Sequence, residues 1–140
     1  MKIIQQDGQE NRDFIRQKVV EHNMASLADQ PKTPKEEVGF IAYSDEGEII
    51  GGITGTAYWG HMHIDFLWVA PEARGQRIAE QLMQQIEEHS HIRNYRLIVV
   101  DTFSFQAPDF YRKQGYKEYG VLEDHPKGHT RYFFEKRLAD

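Results

Sequence analysis

The chain has 140 residues, a length that suits one domain built around a single hydrophobic core. Apolar residues make up 39% of it, including eight Phe, seven Tyr and two Trp, a composition typical of a folded protein and not of a disordered one. Seventeen basic against twenty-two acidic residues give a net charge of -5. This charge excludes a global positive field for nucleic acid or an anionic membrane, and it favours a cationic partner.

Cysteine is absent, which excludes disulfides, thiolate metal sites and a cysteine nucleophile. Residues 1–5 contain no signal-like apolar run, and no stretch approaches the ~20 apolar residues that span a bilayer. We therefore expect a cytoplasmic protein, with one domain over residues 1–140 and no nucleic-acid or membrane partner.

The first predicted elements are a short strand over residues 1–5 and a helix. Asp7 and Glu10 have the spacing of a capping box, and apolar residues follow at helical spacing as far as Met24. A helix that begins near Asp7 is therefore expected.

A β-hairpin and a third strand follow. Residues 38–43 and 48–58 have β-like composition and flank the turn-rich residues 44–47. Residues 61–69 form another apolar-rich strand, which must end before Pro71.

The second half of the chain alternates helices and strands. A helix is predicted over residues 77–89, and the apolar run within residues 96–102 indicates a strand buried on both faces at the centre of the sheet. A short helix that begins at Pro108 precedes two strands, over residues 116–122 and 130–138. The order is mixed α/β, with one antiparallel hairpin early and another late.

The segment from Val69 to Ala79 runs from a strand through a tight turn into an amphipathic helix. At a helix start, several backbone N–H groups lack partners inside the helix and the macrodipole is positive, so a pyrophosphate can bind there. Gly75 allows the backbone to approach such a ligand closely. The same pattern also occurs in ordinary strand-to-helix turns.

This turn resembles the coenzyme A signature of the GCN5-related N-acetyltransferase (GNAT) superfamily, which reads Arg or Gln, two variable residues, Gly, one variable residue, then Gly or Ala. The matching segment is Arg74-Gly75-Gln76-Arg77-Ile78-Ala79, in which Arg77 stands where the family usually has Gly. The resemblance implies a GNAT fold, with a mostly antiparallel sheet of six to seven strands and helices on both faces. It also implies that the segment binds acetyl-CoA, together with the strand residues Leu67, Trp68 and Val69.

A second segment, residues 107–116, resembles the later GNAT pattern of Ala, two variable residues, Phe-Tyr, three variable residues, Gly and an aromatic residue. The resemblance implies cofactor contacts from Ala107, Phe110 and Tyr111, and it implies that the Tyr111 phenol protonates the departing thiolate. Without the resemblance, Phe110 is interpreted as a core residue and Tyr111 as an ordinary half-buried aromatic. Ser104 stands where the family often has an Asn that contacts pantetheine, and the neighbouring Gln106 is an alternative donor.

Transfer to an amine also requires a base, because deprotonating a lysine-like amine of pKa ~10.4 at pH 7 costs about 4.6 kcal/mol. His61, His63 and Asp65 alternate along the third strand and share one face if the strand is regular. His63 aligns by resemblance with a Glu base of several family members and is the predicted base or water-positioner. Asp65 is predicted to bind substrate, with the division of roles open because a bulge would change which side chain points inward.

These observations predict an acetyl-CoA-dependent N-acetyltransferase that acts on a primary amine of a small molecule or peptide by direct attack in a ternary complex. No metal is predicted, although His61, His63 and Asp65 are also possible zinc ligands. The alternative is a non-catalytic acyl-CoA-binding sensor or regulatory module. An exposed sheet edge makes a homodimer plausible.

Overall fold

The computed structural model describes residues 1–27 and 35–138. The chain divides into two compact units, Met1–Lys32 and Thr33–Asp140.

The first unit contains one helix, α1 (Gln9–Ser26), so the predicted helix is confirmed. The predicted capping box is wrong: the N-cap is Gly8, which makes no side-chain cap, and Glu10 lies in the first turn. The Asp7 carboxylate instead accepts hydrogen bonds from the Gly8 N–H and from the Arg12 guanidinium. Residues 1–8 have no regular structure, so the predicted strand over residues 1–5 is also wrong. A strand needs a paired neighbour, and this segment pairs with no described residue.

The second unit is built on a six-stranded sheet in the order β1-β2-β3-β4-β6-β5. In chain order the strands are β1 (Glu36–Tyr43), β2 (Ile49–Tyr58), β3 (His61–Val69), β4 (Leu97–Phe103), β5 (Lys117–Glu123) and β6 (Thr130–Arg137). Two helices accompany them, α2 (Ile78–Ile92) and α3 (Pro108–Lys113). The sequence predicted all of these elements with small differences at their ends, such as the extension of α2 beyond His89.

The sheet is mostly antiparallel, as expected. Within residues 36–137, β3 and β4 are the one parallel pair. They are parallel because α2, which follows β3, returns the chain to the end of the sheet at which β3 began, and β4 starts there. Both hairpins are antiparallel, β1 with β2 and β5 with β6. The mixed α/β fold class is therefore confirmed.

The helix α2 packs against one face of the sheet. Its buried Leu82, Met83 and Ile86 join Ile53 and other alternate strand residues in a single core cluster. A Cβ at Gly55 would lie 2.7 Å from a Met62 side-chain atom and 2.9 Å from one of Ile86, so only glycine permits this close approach.

The short helix α3 lies on the same face as α2. Tyr111 packs on Phe134, which pairs across the sheet with the core residue Val100. Helical cover of the opposite face stays a prediction. On β4, which is central in the sheet, Ile98 and Val100 are buried whereas Val99 is only half-buried, so the fully buried residues lie on one face and not on both as predicted.

Candidate active site

A cleft opens where β3 and β4 part. Their parallel pairing ends at His63 and Val99, so the later halves of both strands leave backbone groups facing the gap. The cleft has a volume of about 650 Å³. Residues of both strands, of the turn before α2 and of α3 line it, among them Asp65, Leu67, Trp68, Val69, Arg74, Ala79, Asp101, Gln106, Ala107, Phe110 and Tyr111.

The turn before α2 presents unused hydrogen-bond donors. No described residue accepts a hydrogen bond from the backbone N–H groups of residues 75–80. Gly75 has a φ of 88°, and Arg77, the N-cap of α2, has a left-handed φ of 59°. Arg74 and Arg77 form no ion pair within residues 1–27 and 35–138. The turn can therefore hold an anion through backbone donors and two available cations.

Tyr111 reaches the cleft from the face that carries the helices. The residue is only 6% exposed, and its hydroxyl forms no hydrogen bond within the described part of the chain. Burial, with the negative charge of Asp101 as the second cause, raises the pKa of Tyr111 to about 12. The phenol is thus protonated at every physiological pH, which a proton donor requires.

Ser104, a predicted cofactor contact, has a backbone partner in the structure. Its hydroxyl accepts a hydrogen bond from the Thr130 N–H, which joins the end of β4 to the start of β6, and it does not line the cleft. Gln106 does line the cleft, and its side-chain oxygen accepts hydrogen bonds from the Thr102 hydroxyl and the Phe103 N–H. The Gln106 amide nitrogen is thereby left to donate to a ligand.

A polar network lies on the opposite face of the sheet, along β2, β3 and β4. His63 donates from Nδ1 to Oδ1 of Asp65 at 2.7 Å, and the Thr56 hydroxyl donates to Oδ2 of Asp65 at 2.6 Å. β3 has a bulge at Asp65. Ile64 pairs with Gly55 of β2 and Phe66 pairs with Thr54, so Asp65 is the extra residue between the two pairs. Beyond the bulge the alternation reverses, which directs Leu67 and Val69 toward the core.

Asp101 on β4 completes this network, and the sequence analysis did not select it. Its Oδ1 lies 3.4 Å from Nε2 of His63, and its Oδ2 accepts from Nε and Nη2 of Arg131 at 2.9 and 2.6 Å. The available signal was a carboxylate directly after the apolar run of a central strand. Because β3 diverges from β4 after Val99, a residue at this point of β4 lies at the cleft.

His61 lies outside the network. Its Nδ1 donates to the Tyr58 carbonyl oxygen at 2.6 Å, its ring packs on the Tyr58 ring, and burial lowers its pKa. In residues 1–27 and 35–138, no group of three His, Asp or Glu side chains is arranged to hold a metal ion. No described helix is long and apolar enough to cross a bilayer.

A second groove, with a volume of about 400 Å³, adjoins the cleft on the face that carries the polar network. It shares Asp65 and Phe66 with the cleft and is otherwise lined by β1 and β2, including Glu37, Thr54 and Thr56. The lining combines apolar residues, among them Val38 and Phe66, with two carboxylates, Glu37 and Asp65, so it suits an acceptor that carries a positive charge.

Residues 9–116 match the family model of the Acetyltransferase (GNAT) family. The chain belongs to the GNAT family of acetyltransferases. It is 34% identical over 107 residues to the blasticidin-S acetyltransferase of Streptomyces morookaense, covering 75% of this chain and 78% of that protein.

Solved structures agree with this GNAT assignment. An acetyltransferase from Bacillus cereus has 50% identity and a TM-score of 0.94, with 99% of each chain covered. A Bacillus anthracis protein assigned as a streptothricin acetyltransferase, solved in complex with acetyl coenzyme A, has 20% identity and a TM-score of 0.66, over 79% of this chain and 67% of that one. At that identity the likeness to the second protein extends to the fold alone.

The GNAT fold brings most of the predicted site residues of this N-acetyltransferase to one cleft. Leu67, Trp68, Val69, Arg74, Ala79, Ala107, Phe110 and Tyr111 line it, as does Asp65. Four predicted residues lie in the turn before α2 or at its start and do not line the cleft, namely Gly75, Gln76, Arg77 and Ile78. His63 does not line the cleft either, but it is hydrogen-bonded to Asp65, which does.

Proposed function

We propose that this protein transfers the acetyl group of acetyl-CoA to a primary amine of a small molecule or peptide, by direct attack in a ternary complex. The observation that supports this most strongly is the opening between β3 and β4, which Tyr111 lines from one face and Asp65 and Asp101 line from the other. Through such an opening, a thioester and an amine can meet from opposite faces of the sheet. Membership of the GNAT family favours the acetyl-CoA cosubstrate.

The residues present fit coenzyme A. The N–H groups of residues 75–80 suit the diphosphate, and Arg74 and Arg77 add positive charge there. The backbone edge of Leu67 to Val69, which β4 leaves unpaired, suits the pantetheine amides, and the Gln106 amide is a donor in place of Ser104. Acetyl-CoA supplies the activated acyl group, and these residues bind and orient it.

Each proton in the transfer has a proposed carrier. The acceptor arrives as an ammonium and gives one proton to Nε2 of His63, which releases it to solvent. The nitrogen lone pair then forms the C–N bond while the C–S bond breaks. The Tyr111 hydroxyl protonates the departing sulfur, and the second nitrogen proton replaces the one that Tyr111 gave up. One proton is released per transfer.

The second groove is the proposed location of the rest of the acceptor. It adjoins Asp65 and lies on the face that carries His63. Glu37 and the hydroxyls of Thr54 and Thr56 favour a polar acceptor that carries positive charge, in agreement with the negative net charge of the chain.

We also propose that the chain acts as a single N-acetyltransferase domain, since the family match covers parts of both units. A cytoplasmic location, a homodimer and the lack of a nucleic-acid partner stay predictions.

The proposal is tested by two measurements on the full chain. Isothermal titration with CoA and acetyl-CoA measures binding, and thiol release from acetyl-CoA in the presence of alkylamines, polyamines, aminoglycosides, amino acids and peptides measures transfer. We expect saturable CoA binding and amine-dependent thiol release. Absence of CoA binding contradicts the proposal, whereas tight binding with no turnover on the panel favours the sensor alternative.

A further inference from the structure

His63 lies between two carboxylates that come from neighbouring strands. Its Nδ1 is 2.7 Å from Oδ1 of Asp65 on β3, and its Nε2 is 3.4 Å from Oδ1 of Asp101 on β4. The two contacts differ in kind, because only one ring nitrogen carries a hydrogen when the imidazole is neutral.

Asp65 determines which nitrogen carries that hydrogen. Its Oδ1 accepts from Nδ1 of His63 and its Oδ2 accepts from the Thr56 hydroxyl, so the neutral ring is protonated on Nδ1. Nε2 then presents a lone pair toward Oδ1 of Asp101, which is also an acceptor. In the neutral ring, two acceptors therefore face each other with no hydrogen between them.

Arg131 holds the Asp101 carboxylate in this orientation. Its guanidinium donates twice to Oδ2, and its central carbon lies 5.5 Å from the Phe103 ring centroid and 5.0 Å from that of Phe133. Within the described residues, Oδ1 contacts only His63. This oxygen is available to a ligand that brings its own hydrogens.

The two facing acceptors lie where the sheet begins to open. The pairing of β3 with β4 ends at His63 and Val99, and Asp101 is the next residue of β4 on the same face. Asp101 lines the cleft together with Tyr111, which enters from the opposite face. A donor held by His63 and Asp101 would thus lie across the opening from the Tyr111 hydroxyl.

We propose that Oδ1 of Asp101 and Nε2 of His63 form the subsite that binds the ammonium group of the acceptor, an inference that rests on the acetyl transfer proposed above. A primary ammonium supplies what the pair lacks, namely positive charge and more than one N–H. It donates one N–H to Asp101 and another to His63. Proton transfer to Nε2 leaves the neutral amine still held by Asp101, with its lone pair available to form the C–N bond.

This subsite assigns the two carboxylates different roles. Asp101 takes the substrate-binding role that the sequence predicted for Asp65, and Asp65 becomes a positioning residue for His63. The subsite selects aliphatic amines, which are cationic at neutral pH because their pKa is near ~10.4. Alcohols and arylamines are uncharged there and gain no ion pair with Asp101.

The test compares the wild-type chain with Asp101→Asn and Asp65→Asn. Long-range ¹H–¹⁵N NMR reports the tautomer of His63, whose signals are assigned by their loss in His63→Gln. n-Butylammonium chloride is then titrated into each protein, with n-butanol as the uncharged control, and the CoA affinity of each variant checks that the fold is intact.

We expect the Nδ1–H tautomer in the wild-type protein and shifts of the His63 signals with butylammonium but not with butanol. Asp101→Asn should weaken butylammonium binding by at least tenfold, and Asp65→Asn should disturb the tautomer while retaining most of the binding. A wild-type Nε2–H tautomer, or equal butylammonium binding by Asp101→Asn, overturns the inference. The tautomer needs no substitution, and the CoA titration of the wild-type chain tests the acetyl transfer separately.

Discussion

Nδ1 of His63 donates a 2.7 Å hydrogen bond to Oδ1 of Asp65, a residue of the same strand. Residues two apart in a strand project from the same face, so these two side chains are neighbours along β3. The Thr56 hydroxyl holds the other oxygen of Asp65. The imidazole ring is therefore fixed in orientation as well as in tautomer, which a proton acceptor in catalysis requires.

The proposed role of His63 predicts a clear difference between two neighbouring histidines. General-base catalysis accelerates a reaction by about 10²- to 10⁴-fold. His63→Gln should therefore lower kcat/KM by at least ~100-fold. His61→Gln is the matched control, since His61 lies on the same strand and bonds only to the Tyr58 carbonyl. The measurement is kcat/KM against pH, with the CoA dissociation constant measured in parallel. An unchanged pH profile in His63→Gln contradicts the assignment.

Tyr111→Phe should lower kcat by about 100-fold while leaving CoA affinity within a few-fold of the wild type, because the hydroxyl acts on the leaving group alone. Burial raises the pKa of Tyr111 to about 12, above its usual value of 10, so the phenol stays protonated as the pH rises through 10. No loss of activity from Tyr111 ionisation is therefore expected below about pH 11.

The control for this prediction is Tyr119→Phe, which removes the hydroxyl of an exposed tyrosine that does not line the cleft. Its kinetics should match those of the wild type. A descending limb near pH 9 that disappears in Tyr111→Phe would show a phenol that ionises too easily for this environment.

Local patterns predicted the hairpins, the strand-to-helix turn and the short helix of Tyr111, because each depends on residues close together in sequence. The polar network depended on two features without a local signature. The bulge at Asp65 arises from pairing with β2, and the ion pair of Asp101 with Arg131 joins strands that are distant in sequence. The hydrogen bond from the Thr130 N–H to the Ser104 hydroxyl has no local signature for the same reason, because the two residues are distant in sequence.

The strand predicted for residues 1–5 failed for a related reason. Apolar composition indicates that a segment tolerates a pleated surface, but only pairing with a neighbouring strand makes it a strand. Such pairing is a property of the assembled fold, which composition cannot report.

Gly75→Ala should weaken CoA binding about tenfold, because the φ of 88° costs an alanine about 1–2 kcal/mol and any relaxation turns the backbone donors away. The matched control is Gly47→Ala in the β1–β2 turn. Gly47 has a φ of 83°, and a Cβ at either glycine would meet nothing within 4 Å. Both variants should lose about 1 kcal/mol of unfolding free energy, measured by urea titration. Equal CoA affinities in the two variants would contradict the anion-binding role of the turn.

Arg77→Gly separates affinity from stability. The backbone of Arg77 is in the left-handed conformation, with a φ of 59°, which glycine adopts without steric cost. Replacing Arg77 by glycine should therefore leave the unfolding free energy unchanged or slightly higher. CoA binding should nevertheless weaken several-fold, and more at low salt, because a phosphate-facing cation is lost. Asn94→Gly, at another left-handed residue with a φ of 59°, is the control and should not change CoA affinity. Tighter CoA binding by Arg77→Gly would show that the side chain crowds the phosphates.

Glu36 should contribute to stability as an ionised carboxylate. It accepts from Nε2 of His89 at 2.7 Å and from the Tyr95 hydroxyl at 3.2 Å, and it pairs with Arg93 at 3.3 Å, so it ties the start of β1 to the end of α2. The hydrogen bond from His89 is the largest cause that holds the pKa of Glu36 below its usual 4.5, against the opposing effect of burial. The Glu36→Gln variant should lose about 1–2 kcal/mol of unfolding free energy at pH 7.

The sign of the pH dependence follows from the lowered pKa of Glu36. Above the unfolded value of 4.5 the carboxylate is ionised in both states, and its full contribution to stability is present. As the pH falls through the lower folded-state value, the carboxyl protonates and the difference between wild type and Glu36→Gln should shrink. Urea unfolding at pH 7 and at pH 3 measures this change. The adjacent Glu37→Gln should change neither value by more than about 0.5 kcal/mol, because Glu37 is exposed and forms no ion pair within residues 35–138.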